Sequence, residues 1–317
     1  MTRALYADLW KSSRILTATA LGMTGILLIA VLGLIVDPRT IGGVSAWLKP
    51  AKFAVSTAVY CLTLAWMFRF VPDRTTLTRV VGRTTAIVFI VEVGLIVIQA
   101  ARGVGSHFNT ATPIDAAIFG TMGTLILILW GTSVALTVAL FRQRFEDPIL
   151  GWAVRFGLLI SVVGAATGGL MTQPTTAQLA RARETSQMPI AGAHTVGAPD
   201  GGPGLPGTGW SREHGDLRVP HFLGLHAAQV LPLIAFGLGR LRSRVARRRG
   251  VVAASTSYLA LVALLLTQAL MGQSVLAPAG VILALLVAWA GLTMLVMAAV
   301  LTSREWRPSG HMEARVR

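Results

Sequence analysis

The chain is 317 residues long, 54% hydrophobic and 13% charged, with a positive mean hydropathy. Soluble domains carry roughly 25% charged residues, so this much apolar surface calls for lipid as solvent. The formal net charge of +15 does not point to nucleic acid, because the basic residues sit at the ends of apolar runs, as the positive-inside rule describes. The single cysteine, Cys61, excludes a disulfide framework or a CxxC metal site within one chain.

In chain order, eight apolar runs reach or approach the roughly 20 residues that span a bilayer. They cover about 15–36, 52–71, 84–102, 113–141, 149–171, 220–240, 251–271 and 277–302. The first is too long for a signal-peptide core and has no A-x-A site, so it reads as a retained span. The fourth exceeds one crossing and is expected to tilt or protrude. The expected fold class is all-α: a single membrane domain over 1–317, a polytopic helical bundle with eight transmembrane helices.

Charge in the connections predicts orientation. Basic groups occupy the N-terminus (Arg3, Lys11, Arg14) and the second-to-third connection (Arg69, Arg74, Arg79, Arg83). They recur at Arg142 and Arg144, at Arg240, Arg242, Arg244 and Arg247–Arg249, and in the tail at Arg304, Arg307, Arg315 and Arg317. Eight spans put all five segments on one side, so both termini are expected in the cytoplasm of a cell-membrane protein. The 172–219 connection on the other side is long and rich in glycine and proline, with Gly201-Gly-Pro-Gly-Leu-Pro-Gly-Thr-Gly209 at its centre. No Gly-Lys-Ser/Thr follows, which excludes a P-loop. A flexible linker is the expected role, with a lid over a site as the alternative.

Ionisable groups at or inside a span are costly and are therefore functional candidates. Trp47-Leu-Lys49-Pro-Ala-Lys52 holds two of only three lysines. These are read equally as anchors for an anionic group and as snorkelling side chains. Glu92 lies near the middle of its span with Gln99 seven residues on, nearly on the same face. It is a candidate proton or catalytic group, and Gln99 a cofactor contact. Arg102-Gly-Val-Gly-Ser-His107 leaves the third span with a cation for an anionic substrate and a histidine for a cofactor. Thr112-Pro113 with Asp115 is a helix-start signal.

The densest stretch is His214–Gln229. His214, His221 and His226 are candidate metal ligands; His221, His226 and Gln229 are candidate cofactor contacts. Asp216 is a candidate catalytic or orienting acid, and Arg218 a candidate anion clamp. At about 100° per residue, His221 and His226 diverge by about 140°, so they cannot chelate one ion as an i,i+4 pair does. His226 is expected to face the bundle interior near His107 or Glu92–Gln99.

The eight-span plan with histidines and glutamines near helix ends is similar to that of haem A synthases. The likeness is one of architecture, and no residue carries over. Arg307-Pro-Ser-Gly-His311 resembles one element of the type 2 phosphatidic acid phosphatases. Too few residues follow for that family's downstream element, so the match reads as coincidence. Three functions are expected in order. The first is a membrane enzyme or redox protein with an extracytoplasmic site, using haem or a divalent metal on a lipid-soluble or anionic substrate. The second is a proton-coupled transporter centred on Glu92. The third is a membrane subunit whose 172–219 loop docks a protein partner.

Overall fold

The computed structural model describes residues 2–71, 75–241 and 243–302. Arg74, Arg242, the tail arginines and the Pro308–His311 element lie outside the described residues, as does the Arg3 side chain. A short helix α1 (Thr2–Ser12) precedes α2 (Arg14–Val36). A two-stranded hairpin, β1 (Thr40–Ile41) with β2 (Val44–Ser45), leads to α3 (Leu48–Met67), which a 3-10 turn prolongs to Phe70. Then come α4 (Thr75–Arg102), α5 (Pro113–Arg142), α6 (Pro148–Ala166), the single turn α7 (Gly168–Met171) and α8 (Thr176–Thr185). Strands β3 (Thr195–Val196) and β4 (Gly215–Asp216) pair antiparallel before α9 (Arg218–Leu238), α10 (Arg244–Leu270) and α11 (Gly280–Thr302). Among the described residues eight helical spans are long and apolar enough to cross a membrane, and the protein is a multi-pass helical bundle.

Helix ends follow capping rather than hydropathy. Thr112 accepts from the Asp115 amide with Pro113 in the first turn, as the sequence predicts. Ser243 caps α10 through the Ala246 amide at 3.2 Å, so α10 starts seven residues before its apolar run, in an arginine-rich turn. Likewise α4 starts at Thr75 and carries Arg79 and Arg83 before its apolar part. Backbone hydrogen bonding continues past the point where hydropathy falls.

Close packing joins α6 to α9. A Cβ on Gly164 would lie 2.5 Å from the Gly224 Cα, and one on Gly157 would lie 2.9 Å from the Ala227 carbonyl oxygen. In lipid, such backbone contact substitutes van der Waals packing for a hydrophobic drive. Leu16, Leu64, Leu136, Leu140 and Leu158 fill a core shared by α2, α3, α5 and α6. In contrast, α11 buries only Ile282 and Val300 and rests on α10 through a Ser257–Thr293 hydrogen bond and Trp289 to the Ser257 carbonyl.

The 172–219 segment differs from the expected flexible linker. It contains α8, whose Thr175–Gln178 capping box is complete, and the β3–β4 pair. Gln178 also ties to Gly192 through two hydrogen bonds of 2.9 and 3.0 Å. Polar side chains from the bundle hold the glycine-rich stretch in place, a feature that local composition does not encode.

Candidate functional site

The loop end of the bundle gathers most of the chain's described acids and histidines. Its rim is a set of closed charge pairs. Arg39 forks onto Asp37, with Nη2 to Oδ2 at 2.6 Å, while Trp47 Nε1 donates to the same oxygen at 2.7 Å and Arg39 Nη1 reaches the Ala101 carbonyl. Arg39 and Trp47 hold the Asp37 carboxyl well below the ordinary carboxylate range. This clasp ties the α2–α3 connection to the end of α4. On the far side of α4, Arg102 Nη1 meets Asp115 Oδ1 at 2.7 Å. Gln99, fully buried, donates to the same oxygen at 2.9 Å and accepts from Arg102. Gln99 and Arg102 are thus engaged in closing the α4–α5 turn.

Asp216 and Arg218 are similarly spent on one another. Arg218 Nε and Nη2 both bond the Asp216 carboxylate, which also accepts the Ser211 amide at 2.7 Å. Asp216 is 2% exposed, so the acid expected to do chemistry is the buried half of a structural fork. Arg218 Nη2 donates onward to the Gly209 carbonyl, and Lys52 Nζ donates to the Thr208 carbonyl, both at 2.7 Å. Two cations from two spans therefore fasten the glycine-rich stretch over the bundle. Between that stretch and the β1–β2 turn lies an open cavity of about 590 Å³, lined by Gly43–Ser45, Leu48, 201–207 and Gly209.

Within electrostatic reach of one another lie Lys49, Glu92 and His107, with His194 on the loop itself. Glu92, 2% exposed on α4, brings Oε1 to 4.0 Å from His107 Nε2, and its buried Oε2 has no hydrogen-bond partner among the described residues. His107 Nδ1 shares a hydrogen bond with Ser106 Oγ at 3.1 Å. The Phe53 ring is 5.8 Å from the His107 ring and 5.8 Å from Lys49 Nζ. Among the described residues no carboxylate or carbonyl engages Lys49 Nζ, yet Lys52, Arg218, Glu92 and Asp200 all lie within electrostatic reach. Burial, and then the charge of Lys49, hold the His107 imidazole well below its usual value, so it is neutral at pH 7.

The loop contributes a pair that sequence reasoning missed. His194 Nδ1 meets Asp200 Oδ2 at 2.8 Å, and the amides of His194 and Thr195 also bond that carboxylate. Burial alone would raise the Asp200 carboxyl, but these bonds outweigh it and hold the group well below its ordinary value. His194 is itself pushed down by burial, against the pull of Asp200. Its ring packs edge-on to Phe108 at 4.9 Å and lies within reach of Lys49 and Arg218. A histidine and an aspartate six residues apart in a polar loop leave no periodic signal, and only the folded turn brings them together.

The histidines of the densest stretch separate, as the 140° divergence implies. His221 Nδ1 bonds the Gly164 carbonyl at 2.9 Å and its ring packs on Gly168, at the break between α6 and α7. His226 instead pairs with Gln229 at 3.2 Å and packs on Phe222 at 4.2 Å, while Gln229 reaches Thr63 on α3. Among the described residues no hydrogen bond or ring contact links His226 to His107 or Glu92. His214 stands apart beside Gln273, to which its backbone bridges. His214, His221 and His226 form no metal centre: among the described residues no group of three or more His, Cys, Asp or Glu side chains could hold a metal ion. Three histidines spread over one helix and its preceding loop face three different neighbours.

Comparisons with protein-family models, with characterised proteins and with solved structures find no match. The reading of function therefore rests on the site itself.

Proposed function

We propose that this protein acts on an anionic, lipid-soluble ligand held beneath the 172–217 cover, with Lys49 as its anion anchor and Glu92 and His107 as its proton-exchanging pair. The arginine distribution favours an extracytoplasmic side for this end of the bundle. One observation carries the reading. Of the cations Lys49, Lys52 and Arg218, Arg218 is neutralised by Asp216 and Lys52 is bound to Thr208, while Lys49 has no acceptor of its own among the described residues. An ammonium away from bulk water without a hydrogen-bonded acceptor is costly, and an anionic ligand removes that cost. Beside it, Glu92 offers a carboxyl oxygen with no protein partner and His107 a neutral imidazole, so a proton can be given or taken without creating an isolated buried charge. Entering a site built of an apolar ring, Phe53, and a cation suits a ligand with a hydrocarbon part and an acidic head.

A second reading, a proton-coupled carrier using the same pair, draws on Glu92 within its span, on Pro232 inside α9 and on the helix break at Thr167. Interrupted helices and an intramembrane acid are features of carriers. In either reading the ligand class and proton pair are the same.

The test uses spin-labelled stearic acid and its methyl ester, added to the protein in zwitterionic nanodiscs. The immobilised fraction should be larger for the acid, Lys49→Met should remove that difference, and Glu92→Gln should remove its pH dependence. Equal immobilisation of acid and ester by the unaltered protein would overturn the proposal.

A further inference from the structure

The opposite end of the bundle holds a second, unrelated cluster. Helix α1 docks on the end of α3: Ser12 Oγ donates to the Ala65 carbonyl at 2.6 Å, and Leu9 is 8% exposed within the core that includes Phe68. Helix α4 closes the same corner. A Cβ on Gly82 would lie 3.2 Å from the Phe68 ring, 3.6 Å from Ser13 Oγ and 3.7 Å from Ile15. These contacts fix where five cations fall. Lys11 and Arg14 flank Ser13, Arg69 follows Phe68, and Arg79 and Arg83 flank Gly82. All five are exposed, and no ion pair or hydrogen bond engages any of their side chains among the described residues. The one described acid on α1 is Asp8, also exposed.

The rest of α1 says what covers this corner. Tyr6 and Trp10 are one helical turn apart, stacked at 6.4 Å, and are 39% and 37% exposed. They do not pack into the core with Leu9. Amphipathic aromatic rings of this kind belong at the headgroup level of a bilayer, and α1 runs directly into the spanning helix α2 through Ser13. A helix with one face on protein, an aromatic pair outward and basic residues beside it lies in the membrane interface. We infer that the corner formed by α1, the end of α3 and the start of α4 binds the phosphate headgroups of anionic bilayer lipids through Lys11, Arg14, Arg69, Arg79 and Arg83. Zwitterionic headgroups bring their own cation and leave the five charges uncompensated, whereas anionic ones neutralise them. This site is independent of the ligand site beneath the loop.

The experiment offers the purified full chain equal amounts of phosphatidylglycerol and phosphatidylcholine in detergent and counts retained lipids by native mass spectrometry. The unaltered protein should retain phosphatidylglycerol with a preference on the order of tenfold. The combined substitution Arg14→Gln, Arg79→Gln and Arg83→Gln should abolish most of that preference. The matched substitution Arg247→Gln, Arg248→Gln and Arg249→Gln, in α10, should leave it. Inorganic phosphate in excess should not displace the lipid. Equal retention of the two lipids overturns the inference, as does preference that survives the corner substitutions or falls equally with the α10 set. Displacement by phosphate would instead mark a free-anion site and also overturn it. If the corner variant does not fold, the lipid preference and phosphate competition of the unaltered protein decide.

Discussion

The two ends of this bundle treat charge in opposite ways. At the loop end three acids each have a fixed arginine, Asp37 with Arg39, Asp115 with Arg102 and Asp216 with Arg218, and Asp200 is held by His194. At the other end the cations are more numerous, mostly exposed, and the described ion pair is a single loose one, Arg247 to Asp147 at 3.4 Å. Buried charge must be paired with good geometry to be tolerated, whereas exposed charge is solvated and needs no partner. The difference teaches where the molecule is preorganised. The loop end is a fixed polar assembly in which unpaired groups stand out, and among the described residues Lys49 Nζ and Glu92 Oε2 are two of them.

Four substitutions and conditions test this contrast, in falling order of expected effect. Gly164→Leu should prevent folding, because a side chain there collides with the Gly224 backbone at 2.5 Å. The cost is about 3 kcal/mol or more, read as loss of monodisperse protein in detergent. Gly120→Ala, with nothing within 4 Å, should be silent in the same assay. Asp216→Ala comes next. It strips a buried acid from Arg218 and should cost about 3 kcal/mol. The loss should appear in thermal unfolding, together with faster proteolysis within 201–209 as Arg218 lets go of Gly209. If that variant melts like the unaltered protein, the loop end is no more fixed than the basic end.

Acid should loosen the loop end selectively. His194 is held below its ordinary value of about 6.5 in the folded protein. Its contribution is therefore complete above about pH 6.5 and is lost as the pH falls through the lower folded value. His107 behaves with the same sign. Asp200, also lowered, adds a loss at more acidic pH, beginning below about 4. Amide exchange, corrected for intrinsic rates, should show falling protection at 192–200 below pH 6.5, and His194→Gln should flatten that response. Unchanged protection down to pH 5 would contradict the assignment. The smallest effect belongs to the basic end. Arg247→Gln should shift stability by less than about 1 kcal/mol, and a larger shift would mean that the two ends do not differ as described.

The fold was legible because its signal is local. Apolar run length gives each span, and Thr112-Pro113-Asp115 gives a helix start that the structure reproduces. The candidates Lys49, Glu92 and His107 were legible because an ionisable group in or near a span stands out against its neighbours. Their partners were not. Arg39 closes on the Ala101 carbonyl, Lys52 on Thr208 and Arg218 on Gly209, and the first two join segments far apart in the chain. The glycine-rich stretch looked like a linker for the same reason: the groups that fix it lie on α3 and α9. His194 and Asp200 were passed over because a loop has no periodicity to set them apart. The separation of His221 and His226 was legible too, since a helix turns neighbours five residues apart onto different faces, whereas the neighbours each histidine meets were not.

The account's central claim is that Lys49 anchors an anion beneath the loop. The most direct measurement is an electron-microscopy map of the protein in nanodiscs containing a stearate brominated on its chain. The account predicts a bound molecule with its carboxylate at Lys49 Nζ, near Phe53 and the Glu92–His107 pair, under the 201–209 stretch. A map in which brominated stearate occupies only the annulus around the bundle, with Lys49 uncontacted, would contradict it.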